Sequence, residues 1–165
     1  FKNIVWTQFG ASIDMLGNAI EACPEELWGD RTQQPEFWYL VYHTLFYLDL
    51  YLFGSVDGFA PPPPFGLSEL EPGLVLPERV YTREESHRYL EHCRGRCRAT
   101  IEGMTDEQAR ARITFDWLEL GGAELLLYNM RHVQHHAAQL NLILRQQTGS
   151  APRWVQRAPA GDGDG

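Results

Sequence analysis

Residues 131–140 read Arg-His-Val-Gln-His-His-Ala-Ala-Gln-Leu, and this run lies within a longer helical pattern near the end of the chain. His132 and His136 are four residues apart, so a helix places them one above the other on the same face. At about 100° per residue, the pair shares that face with Leu125 and Ile143, and this stripe is expected to face the core. Two imidazoles in this arrangement are able to hold one divalent metal ion.

A further histidine lies far upstream, inside the apolar stretch 37–53. In a helix, His43 has Tyr39 one turn before it and Tyr47 one turn after it. A buried neutral imidazole needs partners for its ring nitrogens, either a metal or backbone carbonyls and tyrosine hydroxyls. Both interpretations stay open for any single histidine. Three inward histidines on two helices favour the metal, with His43, His132 and His136 as ligands.

Three nitrogen ligands leave coordination positions free for water or substrate, which is typical of catalytic rather than structural metal sites. Imidazole suits zinc, nickel, copper or iron, and we favour zinc or nickel. His135 lies nearer the edge of the stripe, and we expect it to support the site from outside, together with Gln139 and Asn129. Tyr39 and Tyr47 are more simply core aromatics, and are also the candidate catalytic groups if a pocket exists.

The remaining pattern predicts an all-α protein, a four-helix bundle formed by a single domain over residues 1–150. A Pro-rich stretch between the second and third helices contains Pro61–Pro64 and is predicted to be a long crossover at one end of the bundle. Thr82 and Glu85 form a capping box at the start of the third helix, and Thr105 begins a short extra helix in the same way.

Residues 113–118 are either strand-like or a loop. We expect residues 151–165 to be a largely flexible tail. The four long helices are predicted over about 1–22, 35–53, 83–103 and 123–148.

Composition excludes several functions. The formal net charge of -8 disfavours nucleic acid as a partner. The stretch 37–53 is too short for a membrane span and contains His43 and Asp49. An odd number of cysteines, three, argues against a disulfide framework, and we expect a cytoplasmic protein. Cys93 and Cys97 are predicted to be buried small apolar residues, with a soft metal-ligand pair or a redox thiol near the metal as the alternative.

Beside these residue patterns stands a resemblance to a known family. His43 in its aromatic helix, together with the run His132-x-x-His135-His136-x-x-Gln139, resembles the DinB-like superfamily of metal-binding four-helix bundles. The similarity extends from the first helix to about residue 145. It implies a metal site formed by the upstream histidine and the H-x-x-x-H pair, an up-down-down-up bundle, and frequent homodimers. Some relatives are S-transferases or isomerases that use low-molecular-weight thiols.

Three functional hypotheses follow. The first is a metal-dependent enzyme, a thiol S-transferase acting on small molecules or a hydrolase, in which the metal stabilises a thiolate or activates water. The second is a non-catalytic module that binds a small ligand or serves a dimer interface. The third is a purely structural bundle. A small-molecule ligand or thiol is the expected partner in the first hypothesis.

Overall fold

The computed structural model of the protein describes residues 1–73 and 75–160. Most of this part of the chain is helical, which agrees with the predicted all-α class. The elements in chain order are α1 (Lys2–Ala22), α2 (Glu25–Trp28), α3 (Phe37–Phe53), α4 (Arg83–Gly103), α5 (Asp106–Arg110), β1 (Arg112–Phe115), β2 (Leu118–Gly121) and α6 (Gly122–Thr148). A 3₁₀ turn, Ser68–Leu70, lies within the Pro-rich connection between α3 and α4.

Helix boundaries follow the local signals in the sequence. The Thr82 side chain accepts a hydrogen bond from the Glu85 backbone N–H, and the Glu85 carboxylate accepts one from the Thr82 N–H, so the predicted capping box of α4 is confirmed. Thr105 and Gln108 form the second box, at α5. Helix α3 ends at Gly54, whose φ of 86° is a left-handed conformation that glycine adopts without a steric penalty.

The four long helices surround one core. Helix α1 packs against α4 and α6, and α3 packs against the same two helices. Helix α3 is the most buried of them, as a helix that is apolar on all sides should be. The up-down-down-up order of helix directions stays a prediction. Fully buried side chains at the centre of the core include Phe9, Leu16, Trp38, Phe46 and Cys93.

Two small elements were not assigned from the sequence. Residues 113–118, which the sequence left open between strand and loop, belong to an antiparallel hairpin in which Arg112 pairs with Gly121. The hairpin buries Phe115 and leaves Trp117 48% exposed. The short helix α2 follows Pro24 directly and buries Trp28.

The Pro-rich crossover lies against α3. The Phe65 ring stacks on the Tyr42 ring with the ring centroids 5.9 Å apart, and the Tyr42 hydroxyl donates to the Gly66 carbonyl at 2.9 Å. These contacts carry the following 3₁₀ turn to the side of α3 that bears His43. The crossover therefore contributes to the candidate site, which a simple connection at one end of the bundle would not do.

Residues 151–160 lie along α1. The Ala158 N–H donates to the Thr7 carbonyl at 2.8 Å, and the Trp6 indole N–H donates to the Pro159 carbonyl at 3.0 Å. A side chain at Gly10 would place its Cβ 2.6 Å from that of Ala158, so a glycine is needed for this close approach. The predicted flexibility of the tail stays a prediction for residues 151–160, and its last part, 161–165, lies outside the described residues.

In the described part of the chain, no helix combines the length and the apolar character that a membrane crossing requires. Helix α3 spans 17 residues and uses its apolar surface within the protein core.

Candidate metal centre

Three histidines meet between α3 and α6, as the sequence predicted. The ring centroid of His43 lies 5.5 Å from that of His132 and 4.9 Å from that of His136, and the last two rings are 4.6 Å apart. One possible ligand atom from each residue lies within 4.8 Å of the others. The helical spacing of four residues brings two of the rings together on α6, and the packing of α3 against α6 supplies the third.

The orientation of His43 is set by an acidic residue from the crossover. The carboxylate of Glu69 lies 2.8 Å from Nδ1 of His43, and the Glu69 side chain is only 3% exposed. A carboxylate accepts hydrogen bonds, so the imidazole donates its Nδ1–H and keeps the lone pair on Nε2 free. A carboxylate behind a ligand histidine fixes the tautomer and makes the imidazole a better metal ligand.

The two candidate ligands on α6, His132 and His136, differ in their support. Nδ1 of His136 lies 2.7 Å from the side-chain oxygen of Gln139, so this predicted supporting residue contacts a candidate ligand. Nδ1 of His132 is buried and has no hydrogen-bond partner. A buried ring nitrogen without a partner is costly for the folded protein, and a bound metal ion would satisfy an imidazole in this position.

Burial keeps the imidazoles of His132 and His136 uncharged. Desolvation is the main cause that lowers the pKa of His132 to about 3, and the neighbouring imidazoles lower this pKa further. Desolvation lowers the pKa of His136 to about 4, although the hydrogen bond to Gln139 opposes this shift. Both rings are therefore neutral at physiological pH. Only a neutral imidazole has a lone pair to give to a metal, so the electrostatics favour a cation at this site.

Aromatic side chains surround the three histidines. Tyr39 and Tyr47 flank His43, with ring centroids 6.3 Å and 4.9 Å from it. Burial raises the pKa of both phenols, and the nearby Glu69 carboxylate raises it further. Each hydroxyl therefore stays protonated, and both are engaged by Glu69: the Tyr47 hydroxyl donates to the Glu69 carbonyl at 3.4 Å, and the Tyr39 hydroxyl donates to the Glu69 carboxylate. The ring centroid of Tyr51, a residue that sequence analysis did not single out, lies 6.1 Å from the ring centroid of His132.

His135 and Asn129 occupy different places. His135 is exposed, and its ring centroid lies 5.0 Å from that of His136 on the outer side of α6. Asn129 is buried, and its amide N–H donates to the Leu48 carbonyl at 2.9 Å. Asn129 thus joins α6 to α3, and this contact bears on the site by holding the two helices at a fixed separation.

All three cysteines are free and buried. Burial raises the pKa of Cys23 to about 12, although Arg83 partly offsets this. Burial also raises the thiol pKa of Cys93 and of Cys97 well above its usual range. Cys93 directs its thiol toward the Leu45 carbonyl at 3.7 Å, and neither α4 cysteine belongs to the metal-binding group among the described residues. They behave as the apolar core residues that the sequence predicted.

Glu69 is the functional residue that sequence analysis missed. It lies in an irregular segment without a helical or strand period, so nothing in its spacing connects it with His43. The only available signal was the position of this acidic residue between two leucines, Leu67 and Leu70. Its burial against α3 depends on the path of the crossover, which sequence patterns do not determine.

The donor set fits a divalent transition metal. Three imidazoles converge, two of the rings donate hydrogen bonds to the side-chain oxygens of Glu69 and Gln139, and the third ring has a buried nitrogen without a hydrogen-bond partner. Imidazole donors suit zinc and nickel, with copper and iron as alternatives. The group that could hold the ion consists of His43, His132 and His136, the predicted ligand set.

Comparison with known proteins bears on the whole bundle. The sequence model of the DinB superfamily matches residues 8–140, a stretch that includes His43, His132 and His136. The curated proteins and the solved structures yielded no significant match. The matched region covers most of the chain and contains every element that forms the site. The chain therefore belongs to the DinB superfamily.

Proposed function

We propose that this protein is a metal-dependent S-transferase that joins a low-molecular-weight thiol to an electrophilic small molecule. The observation that carries the proposal is the set of three converging imidazoles, two of them kept neutral by burial. Three ligands from the chain leave room on a metal for an exogenous group. When bound, a divalent metal would lower the pKa of a thiol that coordinates it, so that the reactive thiolate forms at neutral pH.

The chain itself offers no reactive thiol. Its three cysteines are buried, and burial raises the pKa of each thiol, whereas nucleophilic cysteines are partly exposed and have lowered pKa values. A thiol nucleophile must therefore enter as a substrate. In the proposed reaction the thiol loses its proton to solvent, a new S–C bond forms, and the leaving group departs with the electron pair of the bond that breaks.

The protein's own groups position the reactants. Glu69 and Gln139 hold the His43 and His136 rings, and this fixed geometry avoids reorganisation during the reaction. Tyr39 and Tyr47 remain protonated, so each hydroxyl would donate a hydrogen bond to the electrophile or to the leaving group by exchanging its present contact with Glu69.

Metal content is the first test. We expect about one transition metal per chain in protein purified without a histidine tag, and loss of that metal in His43→Ala and His132→Ala. His135→Ala is the matched control, because this exposed histidine adjoins the group but is not one of its three members. A parent protein that stays metal-free after incubation with zinc or nickel would remove the basis of the proposal.

Turnover is the second test. The zinc- and nickel-loaded proteins are mixed with a panel of small thiols and an aryl chloride; the thiolate displaces chloride, and formation of the chromophoric thioether is followed by absorbance. Activity that depends on both the metal and the thiol supports an S-transferase. A loaded protein that binds these compounds, as shown by a raised melting temperature, but does not consume them supports the non-catalytic binding module instead.

Assembly and location are further proposals. A homodimer and a cytoplasmic location are consistent with the family resemblance and with the free cysteines. Light scattering at several concentrations tests the first, and a mass equal to the 18.9 kDa of one chain would contradict it. Fractionation of source cells tests the second.

A further inference from the structure

A cavity of about 560 Å³ opens beside the metal centre on one flank of α6. His132, a candidate metal ligand, forms part of its wall together with Tyr128, Arg131 and His135. All the lining residues lie on α6, and His132 is the one candidate metal ligand among them, so a small molecule here would approach the metal centre from the His132 side. The cavity walls show which chemistry such a molecule needs.

Arg131 is one of the arginines of this acidic protein without a carboxylate partner. Most arginines are paired, for example Arg94 with Asp14 and Arg96 with Asp49, each at 2.6 Å, whereas Arg145, Arg153 and Arg157 share the unpaired state of Arg131 in the described chain but do not line the cavity. Within residues 1–73 and 75–160, no carboxylate oxygen lies within 4.0 Å of the Arg131 side-chain nitrogens. Acidic residues outnumber basic ones by 22 to 14, so an arginine left unpaired beside a site is available for an anion from outside.

We propose that the small molecule bound beside the metal centre carries a carboxylate and that Arg131 binds this group. A guanidinium matches a carboxylate by two parallel N–H···O hydrogen bonds, which fix direction as well as charge. One guanidinium balances one negative charge, and Arg131 is the only Lys or Arg among the residues that line this cavity in the described chain. A monoanion therefore suits the cavity better than a phosphate dianion.

The inference deepens the proposed function, on which it rests, because it specifies the substrate class for the same site. Arg131 precedes His132 directly in the chain, so an anion held by Arg131 is placed next to a candidate metal ligand. The uncharged remainder of the ligand would then contact the Tyr128 ring, whose partner is Tyr51 at a centroid distance of 5.5 Å. Arg131 is in this sense a specificity residue rather than a catalytic one.

Benzoate and benzamide provide a matched pair of probes, because they have nearly the same shape and differ in charge. Calorimetry is run with zinc-loaded and with metal-free protein, using the parent, Arg131→Gln and Arg145→Gln. Arg145 lies on the same helix, also lacks a carboxylate partner in the described chain, and does not line the cavity. Its substitution controls for the loss of one positive charge.

We expect the parent and Arg145→Gln to bind benzoate at least about tenfold more tightly than benzamide, as charge-assisted hydrogen bonds provide. Arg131→Gln should bind the two probes about equally, with benzamide affinity unchanged. Benzoate preference that survives in Arg131→Gln, or a parent protein that has no such preference, would overturn the inference.

The metal-free samples separate this inference from the proposed function. The Arg131-dependent preference should persist without metal, because the guanidinium belongs to the chain. A protein that shows this preference but never holds a metal would retain the anion site and lose the S-transferase proposal. A protein that holds one metal per chain but shows no dependence on Arg131 would do the reverse.

Discussion

Removing Glu69 should weaken metal binding although this residue is not among the three ligands. Its buried carboxylate lies 2.8 Å from Nδ1 of His43 and holds the imidazole with its other nitrogen directed away. Loss of such a supporting partner costs about 10- to 100-fold in metal affinity, or about 1.4 to 2.7 kcal/mol. Glu69→Gln keeps an oxygen acceptor and removes only the charge, so we expect a loss of about tenfold. Glu69→Ala also leaves the Nδ1–H of His43 unpaired, and its loss should approach 100-fold.

Competition with a chromophoric zinc chelator near neutral pH measures these affinities. Glu71→Gln is the matched control, since this exposed glutamate lies in the same connection two residues further along. Circular dichroism checks that each variant retains its helices. If Glu69→Ala bound zinc within about twofold of the parent, the carboxylate would have no role in holding His43, and the reasoning from its 2.8 Å contact would be refuted.

Thr82→Ala should lower the free energy of unfolding by about 1 kcal/mol, measured by urea denaturation, because it removes the side-chain cap of α4; an unchanged midpoint would contradict this. The hydrogen bonds from Arg79, and then those with Thr82, lower the pKa of Glu85 from 4.5 to about 2. A carboxylate whose pKa is lowered in the folded protein stabilises the fold fully at pH values above its pKa in the unfolded chain. This contribution is lost as the pH falls toward 2. The melting temperature should therefore drop more steeply with acid in the parent than in Glu85→Gln. Equal slopes in the two proteins would show that this pair does not contribute. Cys93 and Cys97 should not react with a thiol reagent in the native protein, because both thiols are buried. In denaturant the reagent should label all three cysteines of the chain. Rapid labelling of the native protein would mean that α4 opens readily.

Residues on regular helices were predictable because a helix converts spacing into direction. The interval between His132 and His136, and the apolar surroundings of His43, were enough to bring three imidazoles together. The capping box at Thr82 likewise fixed the start of α4. These features depend on local chain geometry, which one sequence contains.

Features that depend on the path of irregular segments were not predictable. Glu69 reaches His43 across 26 positions in the chain, through a connection that has no periodicity. The hairpin around Trp117 was left undecided, because four-residue strands are too short for a clear alternation. Asn129 contacts the α3 backbone, which only the packing of α3 against α6 reveals.

The helices and the crossover would contribute differently to a metal ion held at this centre. The ligands lie on rigid helices whose core packing tolerates little change, whereas the residue that tunes His43 belongs to a surface connection, where substitutions and insertions are generally accepted. Relatives with the same three histidines and a different connection would then differ in metal affinity. Because metal binding and the docking of the crossover are thermodynamically linked, the metal should also protect this segment from proteases, and cleavage within it should release the metal. Substitutions in the crossover could therefore change metal affinity while the three histidines and the packing of the helices stay the same.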